Sequence, residues 1–253
     1  MKKISIITGA SSGLGYEFAR MIDQRESCEE IWVIARRIEK LNEIKSETVK
    51  RIVPIGLDLS REESIAEYKK LLSDADAEVV ALVNAAGVGK IGKFEDIPLE
   101  DQMSMIDLNC KALMAVTYIT LPYMKKGSHV YEIASLAAFQ PVPYISTYAA
   151  TKAFVLSFSR ALNKELESKG IKIISICPGW IDTGFIDKST CDDSVTNFKR
   201  LLTVDEVIDQ TVRDTKKGRD VSVAGRNNKI RRILAKILPH TTVMKIWCGQ
   251  QEK

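Results

Sequence analysis

Histidine is scarce: the chain has two, His129 and His240, and neither stands at a ligand spacing from Cys, Asp or Glu. A metal site is therefore not expected. The five cysteines (Cys28, Cys110, Cys177, Cys191, Cys248) are odd in number, form no C-x-x-C pair and fall mostly in apolar stretches. This argues for reduced thiols, and so for the cytoplasm, and against a disulfide framework. The apolar run after Lys2 and Lys3 stops at Gly9, too short for a membrane span or a signal peptide, so the fold is expected to begin almost at residue 1. A dominant charge is also missing. Lys plus Arg number 37 against 33 for Asp plus Glu, too small a surplus to indicate a nucleic-acid partner.

No internal repeat, low-complexity tract or Pro/Gly/Ser-rich linker divides the 253 residues, a length that suits one large α/β domain. Short apolar runs near residues 4–8, 31–35, 52–57, 79–84, 130–134, 171–177 and 221–224 alternate with helical patterns. Near-continuous apolar strands separated by helices predict a doubly wound, Rossmann-type parallel sheet of about seven strands, covered on both faces. Gly170 and Gly218, each after a lysine and before a strand, read as helix stops. The composition shifts only at the end. Between Gly225 and Lys245 stand Arg226, Lys229, Arg231, Arg232, Lys236 and Lys245 with no acidic residue. Ile230, Ile233, Leu234, Ile237 and Leu238 among them predict a basic amphipathic helix, which covers a substrate site or subunit contact, or lies on a membrane. Residues 1–225 are thus expected to form the main domain, and 226–253 a helical extension packed on it.

The chemistry-bearing motifs sit where strands meet helices. Thr8-Gly9-Ala10-Ser11-Ser12-Gly13-Leu14-Gly15 closes the first strand and opens the first helix. Bare backbone can approach a pyrophosphate there, and the helix N-terminus favours its charge. The same glycines would also serve a tight turn with no ligand. After the second strand come Arg36 and Arg37, where an acidic residue would bind a ribose 2′-hydroxyl. Two guanidiniums suit a 2′-phosphate instead, or are a solvated pair opening the next helix. Asp58-Leu59 follows the third strand, Asn84-Ala85-Ala86-Gly87 the fourth, and Ser135 the fifth. Pro178-Gly179-Trp180-Ile181-Asp182-Thr183 follows the sixth, and Tyr148-Ala149-Ala150-Thr151-Lys152 opens a helical pattern that runs to Lys169. The i, i+4 spacing puts Tyr148 and Lys152 on one helical face. A nearby ammonium stabilises the phenolate of a group whose ordinary pKa is ~10.

In this order the motifs resemble the short-chain dehydrogenase/reductase family over roughly residues 3 to 225, and within it the DltE-like general dehydrogenases. Ala85 departs from the family's Asn-Asn-Ala-Gly. The resemblance implies an NADP(H)-dependent oxidoreductase that moves a hydride between nicotinamide and an alcohol or carbonyl carbon. Tyr148 would be the general acid/base and Ser135 would bond the substrate oxygen. Lys152 would hold the ribose and tune the phenol, and Asn109 would hold a water linking Lys152 to solvent. It further implies cofactor contacts from Gly9, Ser11, Ser12, Gly13, Leu14, Gly15, Arg36, Arg37, Asp58, Leu59, Asn84, Ala85, Ala86 and Gly87. Tyr148, Lys152, Pro178, Gly179, Ile181 and Thr183 complete that set, with Thr183 on the carboxamide. Long helices over residues 100–125 and 148–169 resemble those that pair subunits into dimers or tetramers.

The substrate side is less defined. Leu136, Pro141, Val142, Trp180 and Phe185 are expected to form apolar walls that suit an apolar ketone, aldehyde or secondary alcohol better than a sugar. The polar segment 185–203, with Asp187, Lys188, Asp192, Asp193, Lys199 and Arg200, is expected to be a mobile lid. Glu132, in the strand ahead of Ser135 where relatives carry Asn or a small polar residue, is either an ionised partner for a nearby base or a surface group at the sheet end. His129 reads as structural. Two other readings stay open: a membrane-associated hydroxysteroid or lipid dehydrogenase, and a non-catalytic NADP(H)-binding sensor.

Overall fold

Each of the seven apolar runs forms a strand in the computed structural model, which describes residues 1–44, 48–198 and 201–251. The strands are β1 (Lys2–Thr8), β2 (Glu30–Ala35), β3 (Arg51–Gly56), β4 (Ala77–Asn84), β5 (Met124–Ile133), β6 (Lys172–Ile176) and β7 (Val221–Ser222). They pair in parallel in the order β3-β2-β1-β4-β5-β6-β7. Because side chains alternate along a strand, each strand serves two cores. Ile7, Val33, Ala81 and Val83 pack on one face with Phe18 and Ile22 of α1 (Gly13–Arg25) and Val207 of α8 (Val204–Lys216). Ile4, Ile6, Ile34 and Leu82 pack on the other with Tyr68 and Leu72 of α3 (Glu62–Asp74) and Val116 of α5 (Leu113–Thr120). Full burial of each large apolar side chain is worth roughly 1.5–3 kcal/mol, so the two cores fix the sheet.

The strand order reverses between β1 and β4. In a doubly wound sheet a crevice opens at such a point beyond the carboxyl ends of the strands, and these ends carry the sequence motifs. Gly170 and Gly218 adopt φ of +67° and +68° and end the helical segments before β6 and β7, as a left-handed C-terminal stop requires.

Two expected helices are organised differently. The pattern over 100–125 divides into α4 (Leu99–Ile106), a π-helical turn (Asp107–Ala112) and α5, and the chain enters β5 at Met124. Pro122, in the short turn after α5, lacks the N–H and the space to extend that helix. The helix carrying Tyr148, α6 (Ser146–Glu165), begins at Ser146. The tail forms two helices, α9 (Arg226–Ile237) and α10 (His240–Gly249), with Pro239 between them. On α9, Ile230, Ile233, Leu234 and Ile237 remain exposed and Ala235 is buried. No helix among the described residues is long and apolar enough to cross a membrane.

Candidate active site

A cleft of about 890 Å³ runs across the carboxyl ends of the strands. One end is shaped by glycine. Gly9 has φ of +66°, and a Cβ there would stand 2.6–2.7 Å from backbone atoms of Ala85 and Ala86. A Cβ on Gly15 would run into the carbonyl of Gly9. The loop after β1 is thus wedged between the loop after β4 and the start of α1, with no space for side chains. Thr8 reinforces the wedge: its Oγ1 accepts from the Ala86 N–H at 3.1 Å and reaches the Val83 carbonyl at 3.4 Å. Ser11, Ser12, Gly13 and Leu14 line the floor beside them. Arg36 and Arg37, both exposed, line the same end with Asp58 and Leu59. Arg37 donates to Ser11 Oγ at 3.2 Å, which holds one guanidinium over the glycine loop.

The other end carries Ser135, Tyr148 and Lys152 on one wall. Ser135 closes the strand region after β5, and its Oγ accepts from the Ala137 N–H at 3.1 Å, capping a short 3₁₀ turn (Leu136–Phe139). Lys152 lies one helical turn after Tyr148, with Nζ 5.7 Å from the phenol ring centroid. It donates to the Ile133 carbonyl at 2.6 Å. Burial pulls the ammonium down to about 8, against the opposing charges of Cys110 and Glu132. Part of the Tyr148 ring faces the cleft, but desolvation of its hydroxyl dominates and pushes the phenol up to about 12, with the Ser135 hydrogen bond pulling it partly back. This corrects the expectation that the lysine brings the phenol towards neutrality. Within the protein's own groups Tyr148 keeps its proton, because burial outweighs an ammonium already engaged by a carbonyl.

Several expected site residues stand behind the cleft wall. Asn109 lies in the π-helical turn, a local geometry frequent at functional sites. Its Oδ1 accepts from the Val88 N–H at 2.9 Å, and its Nδ2 donates to the Val88 carbonyl at 2.8 Å and to Thr151 Oγ1 at 3.0 Å. It therefore clamps the loop after Gly87 to α6. Asn84 is buried and turned away from the cleft, donating to Thr117 Oγ1 at 2.9 Å and Glu132 Oε1 at 3.2 Å. Pro141 is exposed and absent from the lining, a correction to the expected substrate wall, whereas Leu136, Val142, Trp180 and Phe185 do line it. Proline cannot extend the 3₁₀ turn inward, and the chain buries the next residue, Val142, in its place.

Glu132 is no surface group at the sheet end. It is fully buried, and burial pushes its carboxyl up to about 7 against the lowering effect of Thr117, Asn84 and Lys152. The Thr117 hydroxyl bears on the protonation state. Thr117 Oγ1 lies 2.9 Å from Glu132 Oε1 and 2.8 Å from the Leu113 carbonyl, and its single hydrogen can serve only one of them. With that hydrogen on Leu113, the contact with Glu132 calls for a proton on the carboxyl. His129 lies within β5, stacked on Tyr131 at 6.0 Å.

Sequence reasoning missed part of the lining. Gly89 lets the loop after β4 pass under the aromatic rings: a Cβ there would stand 2.5 Å from Phe185 and 3.0 Å from Tyr148. Leu234 and Leu238 from the α9 region and Val243, Ile246 and Trp247 of α10 face the same cleft. Trp247 donates to the Pro143 carbonyl at 3.0 Å, which docks α10 on the loop ahead of Tyr148. The amphipathic spacing of the tail was the available signal, but it does not say which surface the tail covers. The segment expected to be a lid begins with α7 (Phe185–Ser189) and is tied down on both sides. Asp192 accepts from the Lys93 N–H at 2.9 Å, and Gln251 from the Thr196 N–H at 3.2 Å. Lys199 and Arg200 lie outside the described residues. Among the described residues no group of His, Cys, Asp and Glu could hold a metal ion.

Comparison with known proteins agrees with this geometry. Residues 3–193 match the model of the short chain dehydrogenase family. An uncharacterized oxidoreductase of Staphylococcus epidermidis is 33% identical over 184 residues, covering 72% of this chain and 79% of the relative. A short-chain dehydrogenase from Sphingobium yanoikuyae solved in complex with NADPH superimposes with a TM-score of 0.77 at 26% identity, over 87% of each chain. A short chain dehydrogenase/reductase from Burkholderia phymatum in complex with NAD shares the fold, with a TM-score of 0.77 at 19% identity over 92% of each chain. The glycine-wedged loop, the Ser135, Tyr148 and Lys152 wall and a match over most of its length make this chain a member of the short chain dehydrogenase family of oxidoreductases.

Proposed function

We propose that the chain is an NADP(H)-dependent carbonyl reductase or alcohol dehydrogenase acting on an apolar ketone, aldehyde or secondary alcohol. The observation that carries this reading is the meeting of Ser135, Tyr148 and Lys152 on one wall of a cleft that also holds a glycine-wedged cradle. That cradle fits a dinucleotide, because the glycine loop admits backbone contact with a pyrophosphate at the start of α1. Arg36 and Arg37 would meet a 2′-phosphate, with Asp58 and Leu59 at the adenine. Ala85, Ala86, Gly87, Pro178, Gly179, Ile181 and Thr183 would line the middle and the nicotinamide end. When bound, the nicotinamide supplies or accepts the hydride.

The chain's own residues supply position and a proton. Ser135 holds the carbonyl oxygen, and Tyr148, protonated up to about 12, donates its hydroxyl proton to that oxygen as the carbon is reduced. The reverse reaction would need the phenolate to take the alcohol's proton. Lys152, lowered to about 8 by burial, stands beside the phenol to return its proton. Asn109 and the loop it clamps hold the floor under Tyr148 and Lys152. Apolar walls from Leu136, Val142, Trp180 and Phe185 select the substrate. Residues 1–225 would carry this machinery and 226–253 the helical extension over it. Free Cys28, Cys110, Cys177, Cys191 and Cys248 support a reducing compartment such as the cytoplasm.

A panel of apolar ketones and aldehydes assayed by NADPH oxidation tests the reading. Tyr148→Phe is expected to lower turnover by about 10²- to 10⁴-fold while NADPH affinity stays within about twofold. Unchanged turnover in this variant would overturn the mechanism, and tight NADPH binding with no turnover across the panel would favour the sensor. Self-association is supported by the exposed apolar Leu99, Met103, Ile106, Met114, Tyr118 and Phe154 on the α4–α6 side, a patch of the kind that marks interfaces. The membrane-linked reading draws on the exposed isoleucines of α9, and co-sedimentation with anionic vesicles tests it.

A further inference from the structure

The two ends of the cleft differ in charge. Its lining contains one carboxylate, Asp58, and that residue follows β3 beside Arg36 and Arg37. At the substrate end the lining includes Lys188 of α7 and Arg231 and Arg232 of α9, with no acidic residue. These three cations make no ion pair among the described residues. Arg232 is half-buried and lays its guanidinium over the Phe139 ring, 5.3 Å from the centroid. Phe139 ends the 3₁₀ turn that starts beside Ser135, so the cation stands along the wall from the reacting oxygen. Leu136, Leu234, Leu238 and Trp247 share this lining.

A neutral apolar ketone would leave this arrangement unused, and a cationic substrate would be repelled. A guanidinium partly removed from water attracts an anion more strongly than one in bulk solvent. Its planar fork pairs bidentately with an oxyanion, while its faces remain free to stack on an aromatic ring. We propose that Arg231 and Arg232, with Lys188, form a subsite for an oxyanion head group. The substrate class is then an amphipathic molecule: an apolar body bearing the reacting carbonyl or alcohol, and a carboxylate, phosphate or sulfate away from it. The reaction assigned to this substrate rests on the oxidoreductase reading, whereas the binding site does not.

Titration of the NADP⁺-loaded protein with decanoate, decyl phosphate and methyl decanoate, all below micellar concentration, tests the subsite. Loading with NADP⁺ removes Arg36 and Arg37 as competing anion sites, and Trp180 and Trp247 in the cleft report binding by fluorescence. Either anionic probe is expected to bind at least about tenfold tighter than the ester, the usual scale for a charge-assisted pair. The ranking of decanoate against decyl phosphate identifies the head group. The double variant Arg231→Gln, Arg232→Gln should erase the preference without altering NADP⁺ affinity, and Arg231→Lys, Arg232→Lys should restore part of it. Equal binding of ester and anions by the parent protein, or a preference that survives the double glutamine variant, would overturn the proposal. Turnover is scored separately. No turnover of either apolar ketones or keto acids with the anion preference intact sinks the oxidoreductase reading and supports the subsite, whereas equal turnover of a keto acid and its methyl ester sinks the subsite alone.

Discussion

Replacing Glu132 with glutamine removes a buried titration without emptying space, because the amide has the shape of the protonated acid. The folded carboxyl sits at about 7 against an ordinary 4.5, so the native state holds its proton more tightly than the unfolded chain. Stability associated with the neutral acid is therefore fully present below pH 4.5 and is lost as the pH rises through about 7. At about 1.4 kcal/mol per pH unit, that gap corresponds to roughly 3 kcal/mol of stability lost by pH 8. Glu132→Gln escapes this loss. Asn84 and Thr117 both meet the same carboxyl oxygen, Oε1, so the glutamine can place its carbonyl oxygen there and accept from both, with the Thr117 hydrogen turned to it from Leu113. Urea unfolding of both proteins at several pH values from 5 to 8 measures the effect. The variant's stability relative to the parent should rise by up to about 3 kcal/mol between pH 5 and pH 8. A difference that stays constant across this range, or one that falls, would refute the assignment of a raised carboxyl at Glu132. Lys152, lowered to about 8 from 10.5, acts in the opposite sense and in a higher window. Its depressed pKa makes stability rise between those two values, so the two groups separate on the pH axis.

Arg36→Asp should shift cofactor preference towards NADH by about ten- to a hundredfold, the scale of one or two charge-assisted hydrogen bonds; fluorescence titration with both reduced cofactors measures it, and unchanged NADPH preference would remove Arg36 from the phosphate site. Gly9→Ala should cost more than about 1 kcal/mol in chemical denaturation and weaken NADPH binding, since it adds strain at φ +66° and a contact of 2.6 Å with Ala86; a stable variant with parental affinity would contradict the wedged-loop account. Met114→Glu with Tyr118→Glu should dissociate a dimer or tetramer to the 28.3 kDa chain in sedimentation, and a parent already monomeric at micromolar concentration would contradict self-association through α4 to α6.

The sheet was legible because each strand contains a short apolar run, even β5 with its polar first half, and several turns carry their own punctuation, such as Gly9 before α1 and Gly170 before β6. The meeting of three polar residues on one cleft wall was legible for a different reason. Ser135, Tyr148 and Lys152 occur at spacings tied to a strand end and a helical turn, so the resemblance carried their positions directly. Asn84 and Asn109 were legible as residues but not as contacts, since nothing in a sequence says whether an amide at a strand end points into a cleft or at a neighbouring helix. Glu132 was left between an ionised partner for a base and a surface group for the same reason. Its burial depends on Thr117 and Asn84, which are 15 and 48 residues away in the chain. The tail was the least legible part, because an amphipathic helix announces an apolar face but not the surface it meets.

These long-range placements bear on the chemistry as well as on the fold. Glu132, Lys152 and Tyr148 are all deeply buried groups whose charged forms are disfavoured: the carboxyl and the phenol are raised, and the ammonium is lowered. At neutral pH the phenol stays protonated and the carboxyl is held towards its neutral form, while Lys152, at about 8, keeps most of its charge between the two ends of the cleft, which carry Arg36 and Arg37 at one and Arg231, Arg232 and Lys188 at the other. On the proposed reading, a carbonyl held by Ser135 and Tyr148 would have the negative charge developing on its oxygen met by two hydroxyls already in place, with the Lys152 ammonium nearby. Charge at the ends would set which molecules enter and how they lie; Ser135, Tyr148 and Lys152 between them would set what happens to the carbonyl they bring.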